Sequence, residues 1–561
     1  MNTLIAWIAA GATLVLLWLW VIPRVELSRA KHRSLAGHAR WARRLARLVP
    51  AYEFGEQRFF RADDAPAEIA AQRRAGFDQL AAQFQARFAR SAALTDAAAG
   101  YISDLQFTGR YRVPFQFSRF VRERLKGGSF VASTAGSTVT DLDGNEFLDL
   151  TGSYGVNLLG NDFYKECMQR ATDAGGALGP VLGAYLPCTL SNARRLCAIA
   201  GLDEVSFHMS GTEAVMQAVR LARYHSRRRY LVRFCGAYHG WWGEVQPGIG
   251  NPATAHDTLT LQDMSGAALR VLRHRRDIAC VLVNPLQAMH PNRSAPGDSA
   301  LLDSARSAGV DRAAYSAWLQ ELRAVCTERG IALIFDEVFT GFRLAPGGAQ
   351  EYFGVRADLV TYGKTVAGGL PIGVLCGRSA LMARFRADRP ADICFARGTF
   401  NSHPYVMAAM DEFLRRFEGE PVRALYRDLD VTWDARAADL NARLQALGLP
   451  LRVANLSTIW TINYLAPSRY NWMFQYYLRA HGLALSWVGT GRLIFHMAYT
   501  QADYASVVER VLAAAAAMQR DGWWWAPPGQ TNQGIRRAVL REMLQAWGSG
   551  LIGSINSPRN R

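Results

Sequence analysis

The chain has 561 residues and a formal net charge of +17 at pH 7, and half of its residues are hydrophobic. This length can bury a large core and predicts more than one domain, which excludes a single small module. The eight cysteines show no CxxC pair and no metal-ligand spacing. They indicate free thiols in a reducing compartment and predict no metal site.

An uncharged stretch of nineteen residues lies near the start of the chain, from Leu4 to Ile22. As a helix it would measure about 28 Å, enough to cross the hydrocarbon layer of a bilayer. A cleaved signal peptide is the alternative, but no basic residue precedes the stretch and no small-x-small cleavage site follows it. We expect residues 1–23 to form a single transmembrane anchor.

Arginines dominate the sequence that follows, with Glu26 as the single acid between Pro23 and Arg47. By the positive-inside rule, the rest of the chain, including its catalytic part, is expected to be cytoplasmic. The basic run could bind nucleic acid or form a solvated face. Beside a membrane span, attraction to anionic lipid headgroups is the most economical interpretation, so no nucleic-acid partner is predicted. Residues 24–102 are expected to form this juxtamembrane segment and a helical spacer.

Val205 to Met209 predicts a strand that leads directly into a helical segment. Ser210 and Glu213 have capping-box spacing, so a well-started helix is the simple interpretation. The functional alternative is that the amides of Gly211 and Thr212, together with the helix dipole, bind a phosphate.

Two further predicted strands end near polar or aromatic residues. Tyr230 to Phe234 is followed by Tyr238 and His239, and Ile278 to Val283 is followed by Asn284. Tyr238 could stack on a flat cofactor, although an aromatic residue at a strand end is more often part of the core.

The apolar runs Ile331 to Phe335 and Asp358 to Tyr362 are followed by Asp336 and Lys364. In a parallel α/β sheet such runs are buried strands, and ligands bind beyond their carboxyl ends, so Asp336 and Lys364 are expected side by side in a cleft. Only four of the 64 basic residues are lysines, and one stands here, where a guanidinium could not lose its proton. Both a structural ion pair and a site for pyridoxal phosphate (PLP) fit this pattern.

Four motifs in this order resemble those of the class III, fold-type I PLP-dependent aminotransferases: SGTEAVMQAVRLAR, CGAYHG, IFDEVFTGFR and TYGK, followed by GTFNSHP. The resemblance covers about Ser103 to Trp525. It is closest in wording to aminotransferase domains of hybrid polyketide/nonribosomal peptide synthases, and it extends to glutamate-1-semialdehyde aminomutase-like proteins. The α/β fold that it implies has an N-terminal segment and a large PLP-binding domain with a mostly parallel sheet at 103–405, and a small α+β domain at 406–525. A tail at 526–561 receives no chemistry.

The resemblance also implies residue roles. Lys364 would form the Schiff base and act as the base, while Asp336 would keep the pyridine nitrogen protonated. The other cofactor-binding residues that it implies are Gly211 and Thr212 at the phosphate, Tyr238 and Val338 on the two faces of the ring, His239 beside Tyr238, and Thr399. Since Thr399 would reach the phosphate of a neighbouring subunit, a homodimer is implied.

Two positions depart from the family pattern. Glutamate semialdehyde aminomutases carry a Ser-Pro-Val-Arg element that grips the substrate carboxylate, whereas the aligned stretch here is Val113-Pro114-Phe115-Gln116. It lacks both the hydroxyl and the guanidinium, which disfavours a small dicarbonyl acid as substrate. The common Glu-Pro of the family is Asn284-Pro285 here.

We therefore expect a membrane-anchored, PLP-dependent aminotransferase that takes an amino group from a donor to an apolar carbonyl acceptor. A β-ketoacyl chain, with an acyl carrier protein as candidate partner, and a lipid-like ketone or aldehyde are the expected acceptors. The alternative enzyme is an aminomutase of the glutamate-1-semialdehyde type acting on a small amino aldehyde. A non-catalytic, membrane-anchored scaffold is the alternative of another class.

Overall fold

The computed structural model describes residues 7, 20–34, 37–128, 130–246, 248–250, 253, 255–289, 308–486 and 491–555. The chain forms two compact units, each assembled from separate segments. Unit 1 consists of Met1–Ala46, Ala171–Ala295 and Asp311–Arg415; unit 2 consists of Arg47–Arg170, Pro296–Val310 and Arg416–Arg561. Residues 103–170, which the sequence analysis groups with the N-terminal segment and the large domain, and residues 47–102, which it groups with the juxtamembrane segment and spacer, lie in unit 2.

A seven-stranded sheet is the core of unit 1. Its strands in chain order are β1 Glu204–His208, β2 Tyr230–Phe234, β3 Thr258–Leu261, β4 Ile278–Val283, β5 Ala332–Asp336, β6 Leu359–Gly363 and β7 Gly373–Gly377. Their order in space is β1-β7-β6-β5-β4-β2-β3. The neighbours from β6 to β3 run parallel, whereas β7 is antiparallel to both β1 and β6. The mostly parallel sheet expected from the sequence is confirmed.

Every residue of β4 and β6 is buried, as expected for strands covered on both faces. The helix Gly211–Ser226 turns Val215, Val219 and Ala222 into the same hydrophobic core because these positions share one helical face. The other helices that the structure assigns to this unit are Ala39–Ala46, Cys188–Ala200, Gly266–His274, Arg312–Arg329, Gly348–Phe353, Ser379–Met382 and Pro404–Phe417, with 3-10 turns at Pro285–Met289 and Lys364–Ala367 and a hairpin of Phe385–Arg386 with Arg389–Ile393.

Unit 2 contains two small sheets and a set of helices. One sheet holds Val131–Ala135, Thr138–Asp141, Glu146–Asp149 and Leu483–Ala484; the other holds Leu451–Leu456, Ile459–Tyr464 and Arg492–Ile494. The helices are Glu56–Phe60, Ala67–Arg87, Ala89–Ala99, Ser103–Tyr111, Ser118–Arg124, Asn161–Gly175 (which runs on into unit 1), Glu420–Arg427, Leu429–Ala446, Phe474–Ala480, Gln501–Arg520 and Asn532–Ile555, with 3-10 turns at Phe115–Phe117, Gly152–Gly155 and Asn471–Met473.

Aromatic side chains and arginines hold distant segments of unit 2 together. Arg73 is fully buried, lies 2.7 Å from Asp63 and donates to the carbonyl of Gly522 at 2.9 Å. Arg469 makes a two-pronged ion pair with Glu542, at 2.6 and 2.8 Å. Burying such charges is favourable only when they are paired, so these contacts fix the long helices Ala67–Arg87 and Asn532–Ile555 in the unit.

The expected membrane anchor, Leu4 to Ile22, lies outside the described residues except for Trp7 and residues 20–22. Of the helices in the described part of the chain, none is long and apolar enough to cross a membrane. Residues 20–30 form a further helix of unit 1. The carbonyl of Ala30 accepts from the amide of Gln262 at 2.8 Å, and Glu26 lies 2.9 Å from His274.

Candidate active site

Asp336 and Lys364 stand at the same edge of the unit 1 sheet. Asp336 is the last residue of β5, and Lys364 directly follows β6. These two strands are parallel neighbours, with Asp336 paired to Thr361. Because the carboxyl ends of parallel strands meet at one edge, the sheet places both residues at the same edge.

The carboxylate of Asp336 is buried and accepts hydrogen bonds on both oxygens. Oδ2 lies 2.8 Å from Nδ1 of His239, while Oδ1 accepts from the amide of Val338 at 3.2 Å and from Oγ1 of Thr361 at 3.3 Å. These contacts lock the orientation of the side chain, so the carboxylate points in one direction only. The fixed carboxylate is the kind of group that can hold a positive charge in a defined place.

His239 is buried, and burial lowers its pKa, while the neighbouring Asp336 raises it by a smaller amount. Near neutral pH the ring is therefore uncharged and carries a single proton. The short contact with Asp336 places this proton on Nδ1, where it can be donated to the carboxylate. The negative charge of Asp336 is then not cancelled by a second ionised side chain.

Lys364 adopts a left-handed backbone conformation, with φ of 51°. A residue other than glycine rarely adopts this conformation, which costs about 1–3 kcal/mol and is found mostly at functional sites. The side chain is half-buried, and Nζ lies 4.4 Å from the centre of the Phe339 ring. The aromatic face holds the amine close to the sheet edge.

The turn before the helix Gly211–Ser226 forms the helix cap that the sequence predicts and leaves two amides for the predicted phosphate site. Oγ of Ser210 accepts from the amide of Glu213 at 3.3 Å, and Glu213 accepts from the amide of Met209 at 2.9 Å, so the helix is capped. The amides of Gly211 and Thr212 stand before the first intrahelical hydrogen bond. They are available, with the positive end of the helix dipole, for an anion.

Close backbone approaches join this turn to the strand ends. A side chain at Gly211 would place its Cβ 2.7 Å from Val338, and a Cβ at Gly363 would lie 3.2 Å from the same side chain. Gly240, with φ of 85°, lies so close to Thr212 that a Cβ there would overlap the threonine side chain. Thus Gly211, Thr212, His239, Val338 and the Asp336–Lys364 edge form one continuous site.

Two of the expected cofactor contacts are less defined. Tyr238 lies beside His239, with 59% of its surface exposed. Thr399 lies in an exposed turn between the hairpin and the helix Pro404–Phe417. Their roles toward the cofactor therefore remain predictions.

The structure explains the change to Asn284. Its Nδ2 donates to the carbonyl of Tyr238 at 3.2 Å, and its Oδ1 accepts from the amide of Leu286 at 3.1 Å. A carboxylate could accept from Leu286 but could not donate to Tyr238. Asn284 therefore ties the end of β4 to the loop that carries Tyr238 and His239.

Sequence analysis missed Glu337, the residue after Asp336. Its carboxyl group is buried and accepts from the amides of Ala349 (2.6 Å) and Gln350 (3.2 Å), at the start of the helix Gly348–Phe353. Burial raises the pKa of Glu337 to about 8. Its position in the DE dipeptide could have signalled a second buried acid, but the helix that it caps is distant in sequence.

The site is thus of the kind that holds a pyridoxal-type cofactor beside a reactive amine. Residues 122–514 match the class-III aminotransferases. The chain belongs to this family, and its cofactor is PLP.

Named relatives agree with this assignment. A glutamate-1-semialdehyde 2,1-aminomutase of Nitratidesulfovibrio vulgaris (strain DSM 19637 / Miyazaki F) is 34% identical over 355 residues, 59% of this chain and 76% of the relative. A structure described as a transaminase with PLP bound has a TM-score of 0.60 and 25% identity over 77% of this chain and 97% of that one. A glutamate-1-semialdehyde aminomutase from Pseudomonas aeruginosa PAO1 shares the fold, with a TM-score of 0.63 and 19% identity over 80% and 99% of the two chains.

The residues present fit PLP. The Asp336 carboxylate can face the ring nitrogen, the amides of Gly211 and Thr212 can face the phosphate, and Lys364 carries the amine that the cofactor needs. Glycine at positions 211 and 363 keeps open the space against Val338 that a Cβ would fill. Close packing of the backbone at these glycines therefore shapes the cofactor site as much as the side chains do.

Proposed function

We propose that this enzyme is an aminotransferase whose carbonyl acceptor is apolar. The observation that carries amino transfer is the placement of Asp336, held by His239, beside Lys364 at one sheet edge. When bound, PLP supplies a ring that withdraws electrons from the carbon bearing the substrate's amine. The side chains of the protein keep the ring positively charged and transfer one proton.

Each side chain has a defined task in this proposal. The Asp336 carboxylate stabilises a positive charge on the ring nitrogen, and His239 keeps the carboxylate in place by donating from Nδ1. Nζ of Lys364 takes the proton from the amine-bearing carbon and returns it on the cofactor side. The amides of Gly211 and Thr212 bind the phosphate and so fix the distance between ring and lysine.

An apolar acceptor is supported by the stretch aligned with the carboxylate grip of the aminomutases. Val113 and Gln116 are each 2% exposed, and neither carries a positive charge. A site built to bind a carboxylate loses most of its affinity when the guanidinium is missing. A long-chain ketone or aldehyde, or a β-ketoacyl chain on a carrier protein, does not need that group.

The second candidate function is that of an aminomutase on a small amino aldehyde. It is favoured by the relative with that name, which is 34% identical. An aminomutase returns the amino group to the same molecule and therefore needs no separate amino donor. This difference in stoichiometry distinguishes the two functions.

Membrane attachment and dimerisation are further parts of the proposal. The helix Ala39–Ala46 has no buried residue and exposes Trp41 and Leu45 beside Arg43 and Arg44. Aromatic, aliphatic and basic residues on one short helix suit the interface of an anionic bilayer. A homodimer is supported by the exposed turn at Thr399, in line with the shared sites that the resemblance implies.

The test uses the full-length enzyme loaded with PLP. The enzyme is first converted to its amine-loaded form with an amino donor, and the donor is removed. Straight-chain aldehydes and ketones of increasing length are then compared with glutamate semialdehyde as acceptors. We expect the second-order rate constant of this single turnover to rise by roughly a few-fold for each added pair of methylenes until the pocket is full. A profile that is flat with length, or that peaks at glutamate semialdehyde without any donor, would favour the aminomutase.

A further inference from the structure

A cavity of about 680 Å³ lies within unit 2, among the helices Ala89–Ala99, Ser103–Tyr111 and Ser118–Arg124. Part of its wall is apolar, formed by Leu105, Val121, Leu125 and the ring of Tyr476. Phe107, which also lines it, stacks on Tyr111 with ring centres 4.6 Å apart. This volume is within the range of small-molecule sites in proteins.

The charged residues of the wall are mostly basic: Arg110, Arg112, Arg122 and Lys126, against Asp96. Two of the basic groups are neutralised, because Lys126 lies 2.5 Å from Asp96 and Arg122 lies 3.8 Å from Glu53. In the part of the chain that the structure describes, no carboxylate lies within ion-pair distance of Arg110 or Arg112. The cavity therefore carries uncompensated positive charge.

Arg112 is the polar group that a ligand would meet inside the cavity. Its Nε is buried and has no hydrogen-bond partner among the described residues. A buried donor without a partner is destabilising, and more so when it is charged. Arg112 as a whole is only partly buried and lines the cavity, so its positive charge lies where a ligand would bind.

A second guanidinium stands directly behind the same wall. Arg479 donates to the carbonyl of Gly127 at 2.7 Å and lies over the rings of Phe88 and Phe147, at 5.0 and 4.8 Å. Its Nε is also buried without a partner in the described structure. Burial, and then the positive charge of Arg112, lower the pKa of Arg479 to about 10. A negative charge in the cavity would relieve this repulsion.

We infer that this cavity is a binding site for an amphipathic anion, an apolar chain that ends in a carboxylate or a phosphate. The chain lies against Leu105, Val121 and Tyr476, and the anionic head accepts from Arg112. The positive charge of Arg479, which contacts the cavity wall at Gly127, also attracts the anionic head. The assignment rests on residues of unit 2 alone and does not depend on the amino-transfer reaction.

The experiment measures displacement of a dansyl-labelled undecanoate from the full-length, PLP-loaded protein. Competitors are octanoate, octyl phosphate, 1-octanol and inorganic phosphate, all in the same detergent so that partitioning is constant. We expect the two amphipathic anions to compete at least tenfold more strongly than octanol or phosphate, because each of those offers only half of the ligand. Whichever of octanoate and octyl phosphate displaces the probe at the lower concentration shows whether the site prefers a carboxylate or a phosphate head group.

Arg112→Gln is expected to weaken octanoate binding by about tenfold or more, and Arg112→Lys by less. The control is Arg119→Gln, seven residues further along on the helix Ser118–Arg124, where the arginine is exposed and paired with Glu123; it should change binding less than twofold. If Arg112→Gln lowers the thermal stability, the comparison of octanoate with 1-octanol on the unmodified protein decides alone. Equal competition by octanol and octanoate, or undiminished binding in a folded Arg112→Gln protein, would overturn the proposal.

Discussion

Nδ1 of His239 lies 2.8 Å from Oδ2 of Asp336, and the histidine is uncharged because it is buried. The pair is therefore a neutral donor beside a carboxylate, and no second charge cancels the negative charge. His239→Ala should lower kcat by roughly ten- to a hundredfold with a smaller change in KM, because Asp336 loses its orientation. His239→Asn, which keeps a donor, should recover part of the loss. A positioning role also predicts that the pH at which the visible absorbance of the bound cofactor changes differs between His239→Ala and the parent enzyme. The same pH titration in both proteins would contradict it.

Replacement of Lys364 tests the reactive amine. Lys364→Ala should abolish turnover and the borohydride-trapped cofactor adduct while the protein stays folded. Lys364→Arg should be equally inactive because a guanidinium cannot lose its proton at neutral pH. Lys165→Ala is the control, since Lys165 is exposed and pairs with Asp162 at 2.9 Å. Appreciable turnover in either Lys364 variant would remove this residue from its role.

Asp336→Asn should reduce kcat by several powers of ten and weaken PLP binding only modestly. The amide keeps the shape of the side chain, but it removes the charge that stabilises the protonated ring. The carboxylate of Asp336 accepts from Nδ1 of His239 and from the amide of Val338. The NH₂ of the new asparagine would have to face one of these two donors. Steady-state kinetics and cofactor titration measure the two effects separately. A variant within tenfold of the parent would show that the electron sink does not depend on Asp336.

Acid should destabilise unit 1 through His208. This side chain on β1 is buried, and burial lowers its pKa from 6.5 to about 4. Because the folded pKa is the lower one, the unfolded chain takes up a proton first as the pH falls below 6.5. The stabilisation that is present above pH 6.5 is therefore lost on the way to pH 4, up to about 3 kcal/mol for this group. Chemical unfolding of the parent and of His208→Gln from pH 7 to 4 should show a weaker pH dependence in the variant; parallel curves would refute this assignment.

Deletion of Met1 to Pro23 tests the proposed anchor. The truncated protein should move to the soluble fraction and still bind PLP, because the site residues lie far downstream in unit 1. High salt should not release the full-length protein, since a spanning helix is held by burial of apolar surface and not by its arginines. Complete extraction by salt would instead indicate that basic segments such as the helix Ala39–Ala46 provide the attachment.

Local sequence patterns predicted five of the seven strands of the unit 1 sheet. Tyr230–Phe234 and Ile278–Val283 have the predicted bounds, and β5 and β6 begin one residue later than expected. The antiparallel strand Gly373–Gly377 was not predicted, because glycine at both ends is a weak strand signal and its partners lie on β1 and β6.

The candidate site was predictable to a similar degree. Asp336 and Lys364 follow buried apolar runs, which is visible in the sequence. The hydrogen bond from His239 to Asp336 joins residues 97 positions apart, and the role of Asn284 depends on the carbonyl of Tyr238. Such contacts depend on the order of the strands in the sheet, and the hydrophobic periodicity of the sequence does not predict that order.

The division of each unit into separate chain segments has a consequence for biosynthesis. Phe59, Phe60 and Phe77 are buried against Trp523, which the ribosome adds more than four hundred residues later. Until then these aromatic rings can contact one another and Phe120, but they lack the tryptophan and stay partly open to solvent or to chaperones. Contacts of such long sequence separation also close slowly once the chain is free. We therefore expect unit 2 to acquire protease resistance only after release of the complete chain.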